Sequence, residues 1–323
     1  MAQHKAIEIV IERVRGDVIG GAADNALEIV EAIKTMTVES KAASLDALAK
    51  EIETAVDSIL HVLPSLAPPL NALHMLMKQV DDAIENTASV EELRSALRSE
   101  ADHFISLTHD ALEKVAQYGA EKIKDGDSIF MYSMSSTVWR ILKRAKEQGK
   151  SISVAVTESR PDNEGLWTVD KMSEYGIPIT VGIDAAIGIM IPQSDMVMVG
   201  ADVIASTGET LCKVGTYPCA LVAKAHGVPF YITADTLKLD TSTLIGLPFQ
   251  ITETPREKVL DEKAPAEAVV YSPHFDLTPP ELITAFVTEQ GFLNPAAVSA
   301  WMRDMPLSKT LQTKIPAWAH GTF

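Results

Sequence analysis

The chain has 323 residues, 46% of them hydrophobic and 22% charged, so it can bury a large core and has the length for two domains. Twenty-eight Lys and Arg against 44 Asp and Glu leave a net charge of −16, which repels phosphate backbones at long range and argues against nucleic acid as a partner. A small phosphate remains admissible, because local Arg, Lys and backbone N–H groups outweigh a screened distant charge.

The first 125 or so residues repeat apolar side chains at helical spacing: Val18, Ala22, Ala26, Ile29 and Ile33, then Leu45, Leu48, Ile52, Val56 and Ile59, then Leu93, Leu97, Phe104, Leu107, Leu112 and Val115. Several long helices are predicted. Pro64, Pro68 and Pro69 read as an interruption before a helix over 71–85. From Asp127 the texture changes to alternating units. Short β-forming runs at 128–133, 152–156, 177–183, 196–199 and 228–233 are separated by helical stretches at 138–145, 167–175, 185–190 and 216–226. Such repeats imply an α/β fold: an N-terminal helical domain over 1–125, then a Rossmann-like domain over 126–323 with a C-terminal extension, its parallel sheet carrying helices on both faces. Beyond Asp240 the chain is rich in Pro and polar residues, and helix is predicted again after Thr278-Pro279-Pro280.

Cys212 and Cys219 form no disulfide framework and fit a reducing compartment. The stretch from Met1 to Lys5 leads into a charged amphipathic segment rather than an apolar leader. The most apolar window, 177–191, is broken by Pro178 and Asp184 and is too short for a bilayer. The expectation is a cytoplasmic protein with no membrane partner. The histidines show no H-x-x-x-H spacing and no CxxC occurs, which disfavours a zinc site, and neither GxGxxG nor GxxxxGK[ST] is present. No metal and no cofactor is expected.

Four segments at strand ends read as one rim: Tyr132-Ser133-Met134-Ser135-Ser136, Glu158-Ser159-Arg160-Pro161, Gly200-Ala201-Asp202 and Lys213-Val214-Gly215-Thr216. In an open α/β sheet these positions gather outside the carboxyl ends of the strands, where ligands bind at the change of strand order. Ser135 and Ser136 open a helix, whose free N–H groups favour phosphate, although either serine also suits plain capping. Arg160 is placed to grip an anion or to pair with Glu158 or Asp162. Lys213, before Gly215 and Thr216 at a helix start, is a phosphate contact or a surface charge, and Arg15-Gly16 offers a similar grip from the helical domain. Asp202 and Asp184 both follow apolar strands, and a carboxylate shielded from water there can act as acid or base. The pattern alone does not choose between them.

Taken in order, Val156-Thr157-Glu158-Ser159-Arg160-Pro161, Ile183-Asp184-Ala185-Ala186-Ile187-Gly188, Val199-Gly200-Ala201-Asp202, Gly208-Glu209, Lys213-Val214-Gly215-Thr216 and Pro229-Phe230-Tyr231, with Phe275-Asp276-Leu277-Thr278-Pro279-Pro280, resemble one family. It contains ribose-1,5-bisphosphate isomerases, 5-methylthioribose-1-phosphate isomerases and the alpha, beta and delta regulatory subunits of the exchange factor for translation initiation factor two. The resemblance implies a site at the junction of the two domains in which an aldose 1-phosphate becomes a ketose 1-phosphate. It matches Asp202 to the catalytic aspartate, Arg160 and Lys213 to site-lining positions, and Arg15-Gly16 to the pair reaching in from the N-terminal domain. It also implies a homodimer or higher homo-oligomer.

Departures accompany the match. Ser133 stands where the family's isomerases carry cysteine, Cys212 where asparagine is common, and the family's N-terminal arginine-proline is replaced around Leu63-Pro64. A thiol with a pKa near about 8.5 exchanges protons at neutral pH far more readily than a serine hydroxyl lacking a base. The leading expectation is an isomerase of a phosphorylated aldose such as ribose 1,5-bisphosphate. In it Asp202 and Ser133 handle protons, while Arg160, Lys213, Gly215, Thr216, Ser135 and Ser136 hold phosphate. The alternative is a noncatalytic regulatory protein, similar to the initiation factor 2B alpha subunit, that senses a sugar phosphate or nucleotide. A third is an enzyme of altered chemistry built on Ser133 and Tyr132.

Overall fold

The computed structural model describes residues 4–16, 21–246, 249, 251–261 and 263–313. Val18 of the predicted apolar series therefore lies outside the described residues. Contacts divide the chain into two units, one drawn from 1–110, 237–250 and 301–323, the other from 111–236 and 251–300.

The first unit is helical: α1 (Lys5–Arg15), α2 (Ala22–Glu39), α3 (Leu45–Leu60), α4 (Ala67–Glu85) and the first part of α5 (Val90–Lys122). Its core is the predicted apolar set, with Ala26, Ile29, Ile33, Leu48, Ile52, Val56, Ile59, Leu93 and Phe104 all at zero exposure. Local signals fix the helix starts. Ser44 accepts the Ala47 N–H ahead of α3. Before α5, Glu92 accepts the Ser89 N–H at 2.7 Å while the Glu92 N–H donates to Ser89 Oγ, a reciprocal cap. The prolines act otherwise than predicted. Pro68 and Pro69 begin α4 instead of interrupting the series, because the first helical positions need no N–H acceptor and proline already has a helical φ.

Two segments distant in sequence dock on α4. Asn71 Nδ2 donates to the carbonyls of Leu237 and Leu239 at 2.7 and 2.9 Å. Asp81 accepts the hydroxyls of Ser308 and Thr310 at 2.7 and 2.5 Å, and His74 Nδ1 accepts the Ser308 N–H at 3.3 Å.

The second unit alternates strand and helix: β1 (Ser128–Met131), α6 (Ser136–Glu147), β2 (Ser153–Thr157), α7 (Gly165–Tyr175), β3 (Ile179–Gly182), α8 (Ile187–Met190), β4 (Met196–Gly200), β5 (Val203–Ile204), β6 (Thr210–Lys213), α9 (Thr216–His226), β7 (Phe230–Thr233), β8 (Phe275–Thr278), β9 (Ala285–Thr288) and β10 (Gly291–Leu293). The main sheet runs β10-β9-β7-β4-β1-β2-β3 and is parallel except for β10. Central strands β1, β4 and β7 are apolar runs buried on both faces, as a helix-covered parallel sheet requires. The fold is thus α/β, a helical region followed by a largely parallel Rossmann-like sheet.

The sequence reading misses two features. A small antiparallel sheet, β5-β6-β8, carries Cys212 on its middle strand, in a stretch where no strand is predicted. After Pro280 the chain makes only a 3₁₀ turn and then enters β9 and β10 instead of a helix. The run Phe286-Val287-Thr288 is short, buried and β-branched, and Gly291 at φ 100° turns it back as a hairpin.

Burial, partly offset by the charge of Asp81, holds the His74 imidazole down at about 4. The unfolded chain takes up that proton near pH 6.5, so it binds more protons than the fold between about pH 4 and 6.5, and stability falls as pH drops through that window. Urea unfolding should show about 2 kcal/mol less stability at about pH 5 than at about pH 7.5 from this group, and His74→Asn should remove that difference.

Candidate active site

The chain fills the sheet outward from β1 through β2 to β3, then returns to the other side of β1 with β4 and β7. The order therefore reverses between β1 and β4, which opens a crevice beyond their carboxyl ends. Ser133 to Ser136 leave β1 on one side of this crevice and Gly200 to Asp202 leave β4 on the other. The two turns touch, since a Cβ added to Gly200 would lie 2.6 Å from Ser135 Oγ. The neighbour that uses the small residue at 200 is thus Ser135. Asp202 is half-buried, and its N–H donates to the Leu211 carbonyl at 3.0 Å, turning the chain into the small sheet.

Ser133 is held on three sides. Its backbone adopts φ 59°, a left-handed conformation that costs a non-glycine residue on the order of 1 kcal/mol or more and persists where its surroundings over-determine it. The Ser133 N–H donates to Ser159 Oγ at 2.8 Å, and its carbonyl accepts Thr168 Oγ1 at 3.4 Å. The Ser133 hydroxyl donates to Glu164 Oε2. Glu164 reaches it because Gly165 lets the start of α7 press on β2: a Cβ at 165 would lie 1.8 Å from the Thr157 carbonyl oxygen.

Lys213, only 7% exposed, ends β6 with its ammonium between two carboxylates, Asp162 Oδ2 at 2.7 Å and Glu164 Oε1 at 3.2 Å. Asp162 also accepts Lys258 Nζ at 2.7 Å and has His274 Nε2 at 3.7 Å. Burial works to raise the Asp162 carboxyl, but the hydrogen bonds and charges of Lys213 and Lys258 outweigh it and bring it down to about 2.

The start of α9 is occupied from within the protein. Asp276 accepts the Gly215 N–H at 2.6 Å and the Tyr217 N–H at 3.1 Å, while Thr216 Oγ1 donates to the Lys213 carbonyl at 2.7 Å. Gly215 and Thr216, expected as phosphate donors, are instead engaged by a carboxylate and a carbonyl. Burial pushes the Asp276 carboxyl up to about 6 against these N–H bonds.

Asp184 accepts the Ser159 and Arg160 N–H groups at 2.9 and 2.8 Å, so both its oxygens brace the loop after β2. The Arg160 side chain is exposed, with Nη2 donating to the Lys258 carbonyl at 3.4 Å, and the cation beside Asp162 is Lys213 rather than Arg160. Ser135 caps α6 by accepting the Val138 N–H at 3.3 Å, and Ser136 is half-buried in its first turn. Burial raises the Tyr132 phenol far above its ordinary range, with Asp184 adding to the effect, so it is a poor proton donor at neutral pH. Cys219, similarly raised by burial, fits the role of a core residue. Arg15, exposed, and Gly16, the C-cap of α1, belong to the helical unit. Among the described residues no group of three or more His, Cys, Asp or Glu is placed to hold a metal ion, and no helix is long and apolar enough to cross a membrane.

Glu164 escapes a reading of the sequence, and Asp162 enters it only as a partner for Arg160, because single acids in a polar loop look like solvated charges; the partner lysine, 51 positions from Asp162 and 49 from Glu164, gives them meaning. The depressed Asp162 carboxyl contributes stability that is complete above about pH 4 and is lost as pH falls toward about 2. Asp162→Asn should therefore lower unfolding stability at neutral pH by roughly 2 kcal/mol, a gap that narrows below about pH 4 in urea titrations.

Comparison with known proteins identifies the family. The family model described as the initiation factor 2 subunit family matches residues 18–295. A protein of Thermococcus kodakarensis named ribose 1,5-bisphosphate isomerase is 33% identical over 308 residues, covering 94% of this chain and 96% of the relative. A methylthioribose-1-phosphate isomerase of Heliobacterium modesticaldum is 33% identical over 301 residues, covering 88% of this chain and 84% of the relative. The crystal structure of a Pyrococcus horikoshii protein described as translation initiation factor eIF-2B superposes with a TM-score of 0.75 at 28% identity, covering 90% of this chain and 98% of that one. The strand-end motifs, the reversed strand order and these matches lead to one statement: the chain belongs to the initiation factor 2 subunit family.

Proposed function

We propose that this protein is a sugar-phosphate isomerase that converts a phosphorylated aldose of the aldose 1-phosphate type, such as ribose 1,5-bisphosphate, to the ketose phosphate. The observation that carries the reading is the 33% identity, across 94% of the chain, to a relative bearing that activity in its name. A sugar locked as its 1-phosphate must first open. The ring oxygen takes up a proton as its bond to C1 breaks, C2 loses its hydrogen as a proton, and C1 then gains one as the C2 hydroxyl becomes a carbonyl. Such a sequence needs groups with opposite proton roles.

Asp202, at the switch point, is assigned to C1 and C2 as acid and base. Phosphate is assigned to the first turn of α6, where helix geometry leaves the leading N–H groups without intrahelical acceptors, together with Ser136 and the exposed Arg160. Lys213 contributes a positive field already balanced by Asp162 and Glu164. A homodimer is part of the proposal, supported by the apolar side chains Val181, Ile183 and Ile189, 44 to 67% exposed along and just beyond edge strand β3.

The regulatory alternative draws support from the serine at 133 and from the internal pairing of Lys213, and a ligand-sensing role would use the same turn. Incubation with ribose 1,5-bisphosphate, ribose 1-phosphate and 5-methylthioribose 1-phosphate, with ketose formation followed, separates the two. Ketose formation from at least one is expected. No turnover combined with a raised melting temperature would favour the sensor. Asp202→Asn should abolish turnover while ligand-induced stabilisation persists; unchanged activity would remove Asp202 from the mechanism. Light scattering should give at least the dimer mass.

A further inference from the structure

A serine in place of a thiol poses a chemical question: a bare hydroxyl takes up or releases a proton poorly at neutral pH unless a base adjoins it and a third group orients that base. The rim contains such an arrangement. The Ser133 hydroxyl proton is already directed at Glu164 Oε2, while the second oxygen of Glu164 is fixed by Lys213 Nζ at 3.2 Å and Lys213 in turn by Asp162 at 2.7 Å. Backbone bonds to Ser159 and Thr168 set the serine, and the missing side chain at Gly165 sets the distance of approach of Glu164. Glu164 keeps 22% of its side chain exposed, so a proton placed there can exchange with solvent.

We infer that Glu164 is the proton acceptor through which Ser133 works, so that a Ser133–Glu164 relay replaces the thiol. The inference rests on the isomerase reading. In the step it serves, the open-chain substrate is an enol with C1 doubly bonded to C2. The C2 hydroxyl gives its proton to Ser133 Oγ as the Ser133 proton passes to Glu164. The electron pair of the broken O–H bond becomes the second bond of the C2 carbonyl, and the C1–C2 π pair takes a proton from Asp202 to form the new C1–H bond. Asp202 is left ionised, having earlier accepted the proton from C2. Glu164 then releases its proton to water, which balances the one taken up by the ring oxygen on opening. Glu164 acts through Ser133 and is a positioning residue; Ser133 is the group that touches substrate.

A purely structural Glu164 would only balance Lys213, and kinetics tells the two roles apart. Glu164→Gln retains an acceptor for Ser133 but no base. It should lower kcat by about 100-fold with KM changed by less than about threefold, and should alter the acidic limb of the kcat profile, to which Asp202 as the base at C2 also contributes. Ser133→Cys restores a group that ionises by itself, so the double variant Ser133→Cys/Glu164→Gln should recover at least about tenfold over Glu164→Gln, a non-additive pair. In the Ser133→Cys background, the pH dependence of alkylation by iodoacetamide should show a lower thiol pKa when Glu164 is also replaced. Should Glu164→Gln fail to fold, Glu164→Asp keeps the charge, withdraws the base by one methylene, and should show the same loss of kcat.

Wild-type kcat and an unaltered pH profile in these variants, a double variant no faster than Glu164→Gln, or identical thiol titrations in the two cysteine proteins would each overturn the relay alone. Absence of turnover by the unaltered protein would overturn both the relay and the isomerase reading.

Discussion

A buried ammonium must be neutralised, and that requirement ties the rim together. Leaving a charge such as that of Lys213 unpaired at 7% exposure would cost several kcal/mol, so the end of β6 and the loop after β2 have to meet. Their meeting joins the small antiparallel sheet to the parallel one within the second unit. Asp162 takes a second cation from Lys258, which draws in the segment leading to β8. Glu164 uses its remaining oxygen for Ser133. A single desolvated charge therefore specifies the shape of the loop and the setting of the serine.

The same economy governs the other acids of the rim. Asp184 braces the backbone at Ser159 and Arg160, and Asp276 fills the start of α9 through Gly215 and Tyr217. A helix start that already carries a carboxylate is a weak place for a phosphate, whereas the cap of α6 is the neutral side chain of Ser135. On the proposed reading, phosphate recognition in this acidic protein relies on the α6 dipole and Arg160 more than on lysine charge. Proton handling falls to Asp202 and to the serine that Glu164 supports.

How much of this was legible in the sequence differs by level. Alternation of apolar runs with turns revealed β1, β2, β4 and β7 and the helices between them, since a strand buried on both faces has few polar residues to disguise it. The hairpin of β9 and β10 and the three-stranded sheet were not legible. Their strands are two to four residues long and gain meaning only from partners such as Lys213 against Phe275, 62 positions apart. Among the candidate residues, Ser133, Ser135 and Asp202 were visible from their position after strands. Glu164 was hidden in a polar loop, and Gly215 and Thr216 looked like donors for a ligand because the sequence does not say that Asp276 lies opposite them.

The sequence by itself determined the family, the α/β character and the strand ends where chemistry-bearing side chains collect, because hydrophobic period and ordered motifs are local properties. Only the tertiary structure decided which of those side chains are already paired. Hydrogen bonds and ion pairs here join residues distant in sequence, 31 positions for Ser133 with Glu164, 61 for Gly215 with Asp276 and 96 for Asp162 with Lys258, and whether a charge is available or neutralised depends on that distant neighbour and on the burial around both.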